Sequence, residues 1–288
     1  MSFLRRSKIE SKTPTQIHLM RAAGLVVADT LQLARTLSVA GTSTLEIDTA
    51  AERSIRAAGA VPSFKGYYGF PGSVCISVND EVVHGIPGAR VLAEGDLVSI
   101  DCGAIVQGWH GDAALSLIVG GTDGPSARPD DVALLHDTEA SMWAGIGALV
   151  PGERLFGVGE AVQASIEQAH ARRAAQGQAL TYGIVEDFVG HGIGTSMHMD
   201  PSVPNYAVEG KGPLLPVGAT LAIEPMVTLG TIETRTLDDE WTVVTTDGSR
   251  AAHWEHTVAI TESGVWVLTA RDGGASSLGG GAAYAPLA

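Results

Sequence analysis

The sequence predicts a mixed α/β chain made of two similar halves that face each other, and three observations predict it. Helical and strand periodicities come in blocks, two helices followed by strands, and that order occurs twice. Sliding the chain by 111 residues places Val39, Gly41, Ala50, Ser54 and Ile55 on Val150, Gly152, Ala161, Ser165 and Ile166. A glycine followed six residues later by an acid recurs at an offset of 123, from Gly95 and Asp101 to Gly218 and Glu224. The shared grammar of paired helices would give some of these matches without any repeat, so backbone geometry has to decide.

Taken in order, residues 15–37 carry apolar positions at Ile17, Met20, Leu25, Val26, Leu31 and Leu33, nearer the helical than the strand period. Residues 46–60 read as a second helix, stopped near Gly59. The Val-, Ile- and Ser-rich stretch 72–85 reads as strand and turn, and 96–100 and 109–119 as two further strands. A second helix pair is expected at 129–149 and 157–175, with strands at 218–229, 241–245 and 256–261. The Gly/Ala/Ser-rich tail, 273–288, has no period and is expected to be flexible. The first residues lack an apolar anchor and are expected to be mobile.

Composition narrows the function. The 288 residues allow one large domain or two small ones, and a net charge of −14 argues against binding nucleic acid or an anionic membrane through the bulk surface. Cys75 and Cys102 are too few for a disulfide framework and fit free thiols in a reducing cytosol. No apolar run of 18 residues and no signal-peptide pattern occurs, which predicts a soluble, cytoplasmic protein.

Four carboxylates sit in apolar settings: Asp101 after Leu97-Val98-Ser99-Ile100, Asp112 in WHGDAALSLIV, Glu224 in TLAIEPMV and Glu255 in HWEHTVAI. An ionised carboxylate there is costly unless it is paired or binds a metal. Arg235 and Arg250 are the only cations in the flanking β segments of the second half, so divalent cations are the natural partners. Asp101 and Asp112 lie 11 residues apart, a spacing that lets them meet across one hairpin. Four negative charges match two divalent ions, and oxygen donors with one or two imidazoles suit Mn, Fe, Co or Zn.

Of nine histidines, His18, His136 and His170 fall on predicted helices and read as surface or packing residues. His191 and His198 lie in FVGHGIGTSMHMDPSVP, where Gly190, Gly192 and Gly194 disfavour a helix and let the backbone bend, turning imidazoles into a cavity. His84 ends a β-like segment in NDEVVHGIPG, while His110, His253 and His256 flank carboxylates and read as supporting residues. The spacing His253-x-Glu255-His256 is not the helix-borne HExxH of zinc proteases.

The ordered set His84, Asp101, Asp112, His191, His198, Glu224 and Glu255, in NDEVVHGIPG, SIDCGA, WHGDAALS, GHGIGTSMHMDP, AIEPMV and WEHTVAI, resembles the type I methionine aminopeptidases. The resemblance covers roughly residues 10–270. It implies the pita-bread α/β fold, with pseudo-two-fold halves and a central antiparallel sheet flanked by helices, as a single catalytic domain over residues 1–272. It also implies that Asp101, Asp112, His191, Glu224 and Glu255 hold two divalent ions, with Asp112 and Glu255 shared between them. By the same resemblance Glu224, His198 and His84 act on substrate, and Tyr67, Phe70, Cys75, Met197 and Trp241 line a methionine pocket.

The implied activity is removal of the initiator methionine from nascent chains with a small second residue, by a monomer with at most transient ribosome contact. Residue 2 is Ser, so this chain's own Met1 is an expected substrate. The 26-residue step from His198 to Glu224 leaves no room for the helical insertion of type II enzymes. Only 83 residues precede His84, whereas prolidases and proline aminopeptidases usually carry an extra N-terminal domain. A non-catalytic binding protein on this fold would lack a ligand, and all five stand here. Thr195, Met197 and Val83 depart from the residues many relatives carry, which bears on fine specificity. Leu229-Gly230-Thr231 lacks the lysines associated with the ribosome in some bacterial relatives.

Overall fold

The computed structural model describes residues 9–278 and 283–287. Residue 2 and the rest of the first eight lie outside the described residues. Helix α1 (Pro14–Leu37) starts at a capping box in which Thr13 and Gln16 bond reciprocally, and α2 (Thr44–Ala57) at the equivalent box of Ser43 and Glu46. That second cap sets the start of α2 two residues earlier than the periodicity predicts. Helices α3 (Pro129–Gly147) and α4 (Gly157–Ala175) form the second pair, packed on each other.

The first half supplies β1 (Val61–Pro62), β2 (Val74–Val78), β3 (Glu81–Val83), β4 (Leu97–Val106) and β5 (Trp109–Ile118). The second supplies β6 (Gly183–Ile184), β7 (Gly190–Gly192), β8 (Met199–Val203), β9 (Thr220–Ile223) and β10 (Met226–Thr228). It continues with β11 (Thr234–Thr236), β12 (Val243–Thr245), β13 (Ala251–His253), β14 (Glu255–Ile260) and β15 (Val265–Val267). The central sheet runs β1-β4-β5-β14-β9-β7-β8, with β2 also on β4 and β15 on β14, and its paired strands are antiparallel. The β5–β14 pairing, Glu255 opposite Ala114 and His256 opposite Ala113, joins the halves. Two three-stranded sheets, β13-β10-β6 and β11-β12-β3, flank it.

Backbone geometry establishes the repeat. Gly41 and Gly152 are both left-handed, at φ +93° and +83°. Gly41 N–H donates to Leu92 O at 2.9 Å, and Gly152 N–H to Leu215 O at 2.8 Å. Thr42 and Glu153 return the bond, accepting from Leu92 N and Leu215 N. These equivalent hydrogen bonds connect residues offset by 111 on one side and 123 on the other.

The sequence reading ends the fourth strand near Ile100, but β4 continues to Val106 and turns into β5 through Gln107 and Gly108, both left-handed at φ +50° and +82°. Positive φ at both central residues matches the strand twist of a two-residue hairpin. A strand that stops at Ile100 would leave Asp101 just past its end, whereas the ladder carries Asp101 in its middle. Helix α1 lies on β4 and β5 at the closest separation glycine allows, because a Cβ on Gly111 would stand 2.7 Å from Gly24 N. The core between sheet and helices holds Val27, Leu31, Ile47, Ile55, Ile76, Ile100, Leu134, Met142 and Ile146.

Three expectations change. The glycine-rich Gly190–Gly192 is a strand of the central sheet, not a bend. Its glycines are required by packing, since a Cβ on Gly190 would meet Ala222 O and one on Gly192 Asp200 O. At the start of the described chain Ile9 is in the core and Lys12 is buried, with Lys12 N–H donating to Gly218 O at 2.8 Å. In the C-terminal tail, Tyr284 and Leu287 pack on the cluster of Ile17, Met20, Trp109, Trp266 and Leu268, and Ala285 N–H donates to Val265 O at 2.8 Å. Among the described residues, no helix is long and apolar enough to cross a membrane.

Candidate metal centre

Five consecutive strands of the central sheet each position one of the five candidate ligands. Asp101 is on β4, Asp112 on β5, Glu255 on β14, Glu224 immediately after β9, and His191 on β7. In the β4–β5 register Asp101 faces Ala114 while Gly103 faces Asp112, so the two aspartates are diagonal neighbours on one face. Ala114 also faces Glu255, which aligns Asp101 and Glu255 across three strands. Where β5 and β14 part beyond His256, the Thr257 hydroxyl donates to Asp112 O at 2.7 Å and accepts from Asp112 N at 3.0 Å. Thr257 thus holds the backbone of Asp112 in place of a ladder partner, a role no sequence pattern indicated.

His191 Nδ1 lies 2.9 Å from Gly192 O, and its Nε2 lies 3.3 Å from Glu224 Oε1. A carbonyl only accepts, so Nδ1 carries the proton and the bare Nε2 faces the carboxylates. Ligand atoms of Asp112, His191 and Glu255 lie within 4.8 Å of one another. Asn205 Nδ2 donates to Glu224 O at 3.1 Å and fixes the backbone there.

The electrostatics fit a bound cation. Burial lifts the Asp101 carboxyl to about 7, and burial with mutual repulsion holds Asp112, Glu224 and Glu255 well above the carboxylate range. Among the described residues no Lys or Arg lines this cavity, and Asp101 Oδ1, Asp112 Oδ1 and Glu255 Oε1 are buried without a hydrogen-bond partner. Oxygen donors plus one imidazole are a set that suits divalent first-row metals.

The ligands open on a cavity of about 330 Å³. One wall is apolar: Phe64, Phe70, Cys75 and Met197 form a buried cluster with Tyr67 and Trp241 against it, Phe70 and Trp241 meeting edge to face at 5.1 Å. The structure thus brings all five expected pocket residues together. Burial raises the Cys75 thiol, which keeps it neutral. His84, in the left-handed region at φ +60°, projects into the cavity between the rings of Phe188 and Trp241. Its imidazole is lowered by burial to about 4 and so is neutral near pH 7. His198 is exposed at the mouth, its ring 4.4 Å from that of His191 and its Nδ1 2.8 Å from Tyr67 Oη.

Phe64, Phe188, Met226 and His253 also line the cavity and were missed as lining residues. His253 alone carried a signal, its place two residues before Glu255; its buried Nε2 has no partner. His110 and His256 turn elsewhere, to Ser63 Oγ at 3.0 Å and Thr269 Oγ1 at 2.8 Å.

Comparison with known proteins agrees with this geometry. The pattern of metallopeptidase family M24 matches residues 18–262. Methionine aminopeptidase 1 of Mycobacterium tuberculosis is 51% identical over 92% of this chain and 96% of its own, and that of Bacillus subtilis 47% identical over 90% and 98%. The crystal structure of methionine aminopeptidase from Thermotoga maritima superposes with a TM-score of 0.83 at 40% identity, covering 91% of this chain and 99% of that one. The prolidase of Pyrococcus furiosus shares the fold at a TM-score of 0.68 and 20% identity, and this chain covers 65% of it. The chain therefore belongs to metallopeptidase family M24, and within it to the methionine aminopeptidases.

Proposed function

We propose that this protein removes the initiator methionine from nascent chains whose second residue is small, with Asp101, Asp112, His191, Glu224 and Glu255 holding two divalent ions. The observation that carries this reading is the placement of the five side chains on or just after five consecutive strands, beside one cavity with an apolar wall. When bound, the ions would lower the pKa of a water towards 7, polarise the scissile carbonyl and hold the free α-amine. Glu224, beside His191 Nε2, takes the proton of the attacking water and returns it to the leaving amine. His198, at the mouth, donates a hydrogen bond to the carbonyl oxygen as it gains charge. His84 steadies the peptide nitrogen, and Phe70, Cys75, Met197, Tyr67 and Trp241 enclose the methionine side chain.

The free, buried cysteines Cys75 and Cys102 support a cytoplasmic setting, and the protein acts as a monomer that meets nascent chains with at most transient ribosome contact. Release of Met from Met-Gly-Met, abolished by a chelator and restored by Mn, Fe, Co or Zn, tests the reading, and the metal titration gives identity and stoichiometry. Faster cleavage of Xaa-Pro peptides than of Met-Gly-Met overturns it. In cells depleted of other methionine aminopeptidases, mature protein begins at Ser2, and Ser2→Leu retains Met1.

A further inference from the structure

We propose that Tyr67 is a positioning residue that holds His198 with its proton on Nε2, the tautomer opposite to that of its neighbour His191. The proposal rests on the aminopeptidase reading above, in which His198 donates to the scissile carbonyl, and it goes beyond the place of Tyr67 in the pocket wall.

Two imidazoles stand 4.4 Å apart, with ring planes 62° to each other, and must present opposite chemistry. His191 needs a bare Nε2 to hold a metal, and Gly192 O imposes it by accepting from Nδ1–H. His198 needs a protonated Nε2 to donate. Its Nδ1 meets a hydroxyl, Tyr67 Oη at 2.8 Å, rather than a carbonyl. A phenol is the stronger acid and an unprotonated imidazole nitrogen the better acceptor, so the bond runs from Tyr67 O–H to Nδ1 and leaves the proton on Nε2.

The loop that carries Tyr67 is built to hold this contact. Tyr67 N–H donates to Phe64 O and Gly66 N–H to Phe70 O, both at 2.8 Å, and Phe70 N–H to Tyr67 O at 2.9 Å. Three of the four residues Gly66–Gly69 have positive φ, Gly66 at +87°, Tyr68 at +46° and Gly69 at +92°, and they enclose Tyr67. Tyr68 takes a conformation disfavoured for a bulky residue, and its ring braces that of Tyr67 edge to face at 4.6 Å. Local strain is therefore retained where the loop must deliver one hydroxyl to one imidazole 131 residues away.

The test is Tyr67→Phe, which keeps the aromatic wall and removes only the hydroxyl. In metal-free protein labelled with ¹⁵N-histidine, wild-type His198 shows a protonated Nε2 and a bare Nδ1, and Tyr67→Phe shifts both nitrogens towards a tautomer average. In the metal-loaded enzyme, kcat on Met-Gly-Met falls about ten-fold with KM changed less than two-fold. In the His198→Ala background the same substitution has no further effect on kcat, because Tyr67 acts through that ring. A proton on Nδ1 in wild type, or an undiminished effect in the His198→Ala background, overturns the proposal. If wild type releases no Met, the aminopeptidase reading fails, while the nitrogen shifts still decide the tautomer.

Discussion

Asp101 and Glu224 stand at equivalent places in the two halves, each six residues after a left-handed glycine, Gly95 at φ +84° and Gly218 at φ +86°. Gly95 N–H donates to Val119 O and Gly218 N–H to Ile260 O, at 2.9 and 2.8 Å, so each turn ties the start of one strand to the end of its sheet neighbour. The two acids are aimed by the same local device used twice.

Gly95→Ala and Gly218→Ala are expected to cost about 2 kcal/mol or more each, because a Cβ adds a left-handed penalty and meets Ser126 O or Lys12 O. Gly108→Ala is the control, equally left-handed at φ +82° but with open space around its Cβ, and should cost about 1 kcal/mol. Urea midpoints of the three variants check the ordering.

The Asp101 carboxyl rises from 3.8 to about 7 through burial. The folded state then favours the protonated acid, so the ionised form lowers stability above pH 7, and that loss fades as pH falls through 7 towards 3.8. Asn is neutral throughout. In chelator, Asp101→Asn should therefore unfold at a higher temperature than wild type at pH 8, with the gap closing by about pH 4. With a divalent metal added at pH 8 the order should reverse, because the amide cannot supply the missing charge. Differential scanning calorimetry reads both.

Asp137 clasps α3 to α4 and to the chain beyond, accepting from Arg172 Nη2 at 2.7 Å, Arg173 Nε at 2.9 Å and Tyr182 Oη at 2.6 Å. Removing it leaves the partly buried Arg173 and Tyr182 unpaired. Asp137→Ala should cost about 3 kcal/mol, with KM for Met-Gly-Met unchanged. A shift in KM instead would mean that the clasp shapes the cavity.

Deleting residues 284–288 removes the packing of Tyr284 and Leu287 on the Trp266 cluster and the Ala285 to Val265 hydrogen bond. A loss of about 1–2 kcal/mol, or roughly 2–3 °C in Tm, is expected with kcat intact. An unchanged Tm would mean that the contact adds nothing to stability.

The carboxylates were legible because an acid after an apolar run has few physical meanings, and the helices because their periods and caps are local. Strand β7 was not legible. Its glycines read as flexibility, whereas close approach to Ala222 and Asp200 requires them. The Tyr67–His198 contact joins residues that no periodicity relates. In the tail, a Gly/Ala/Ser composition concealed two anchoring side chains, and Ile9 was concealed in the same way by its charged surroundings. Phe64 and Phe188 became cavity lining only once distant strands converged.

The candidate ligands are divided between the halves, Asp101 and Asp112 preceding α3 and His191, Glu224 and Glu255 following α4. Glu255 lies near the end of the 288-residue chain and enters the site only when β14 docks on β5. A chain still being synthesised, or one cut between the halves, therefore lacks part of the candidate ligand set. On the proposed function, hydrolytic competence is delayed until the fold closes, and an unfinished copy is silent towards the nascent chains around it. Two separately expressed halves would regain activity only by reassembling, and the rate at which activity returns would report the docking of one half on the other.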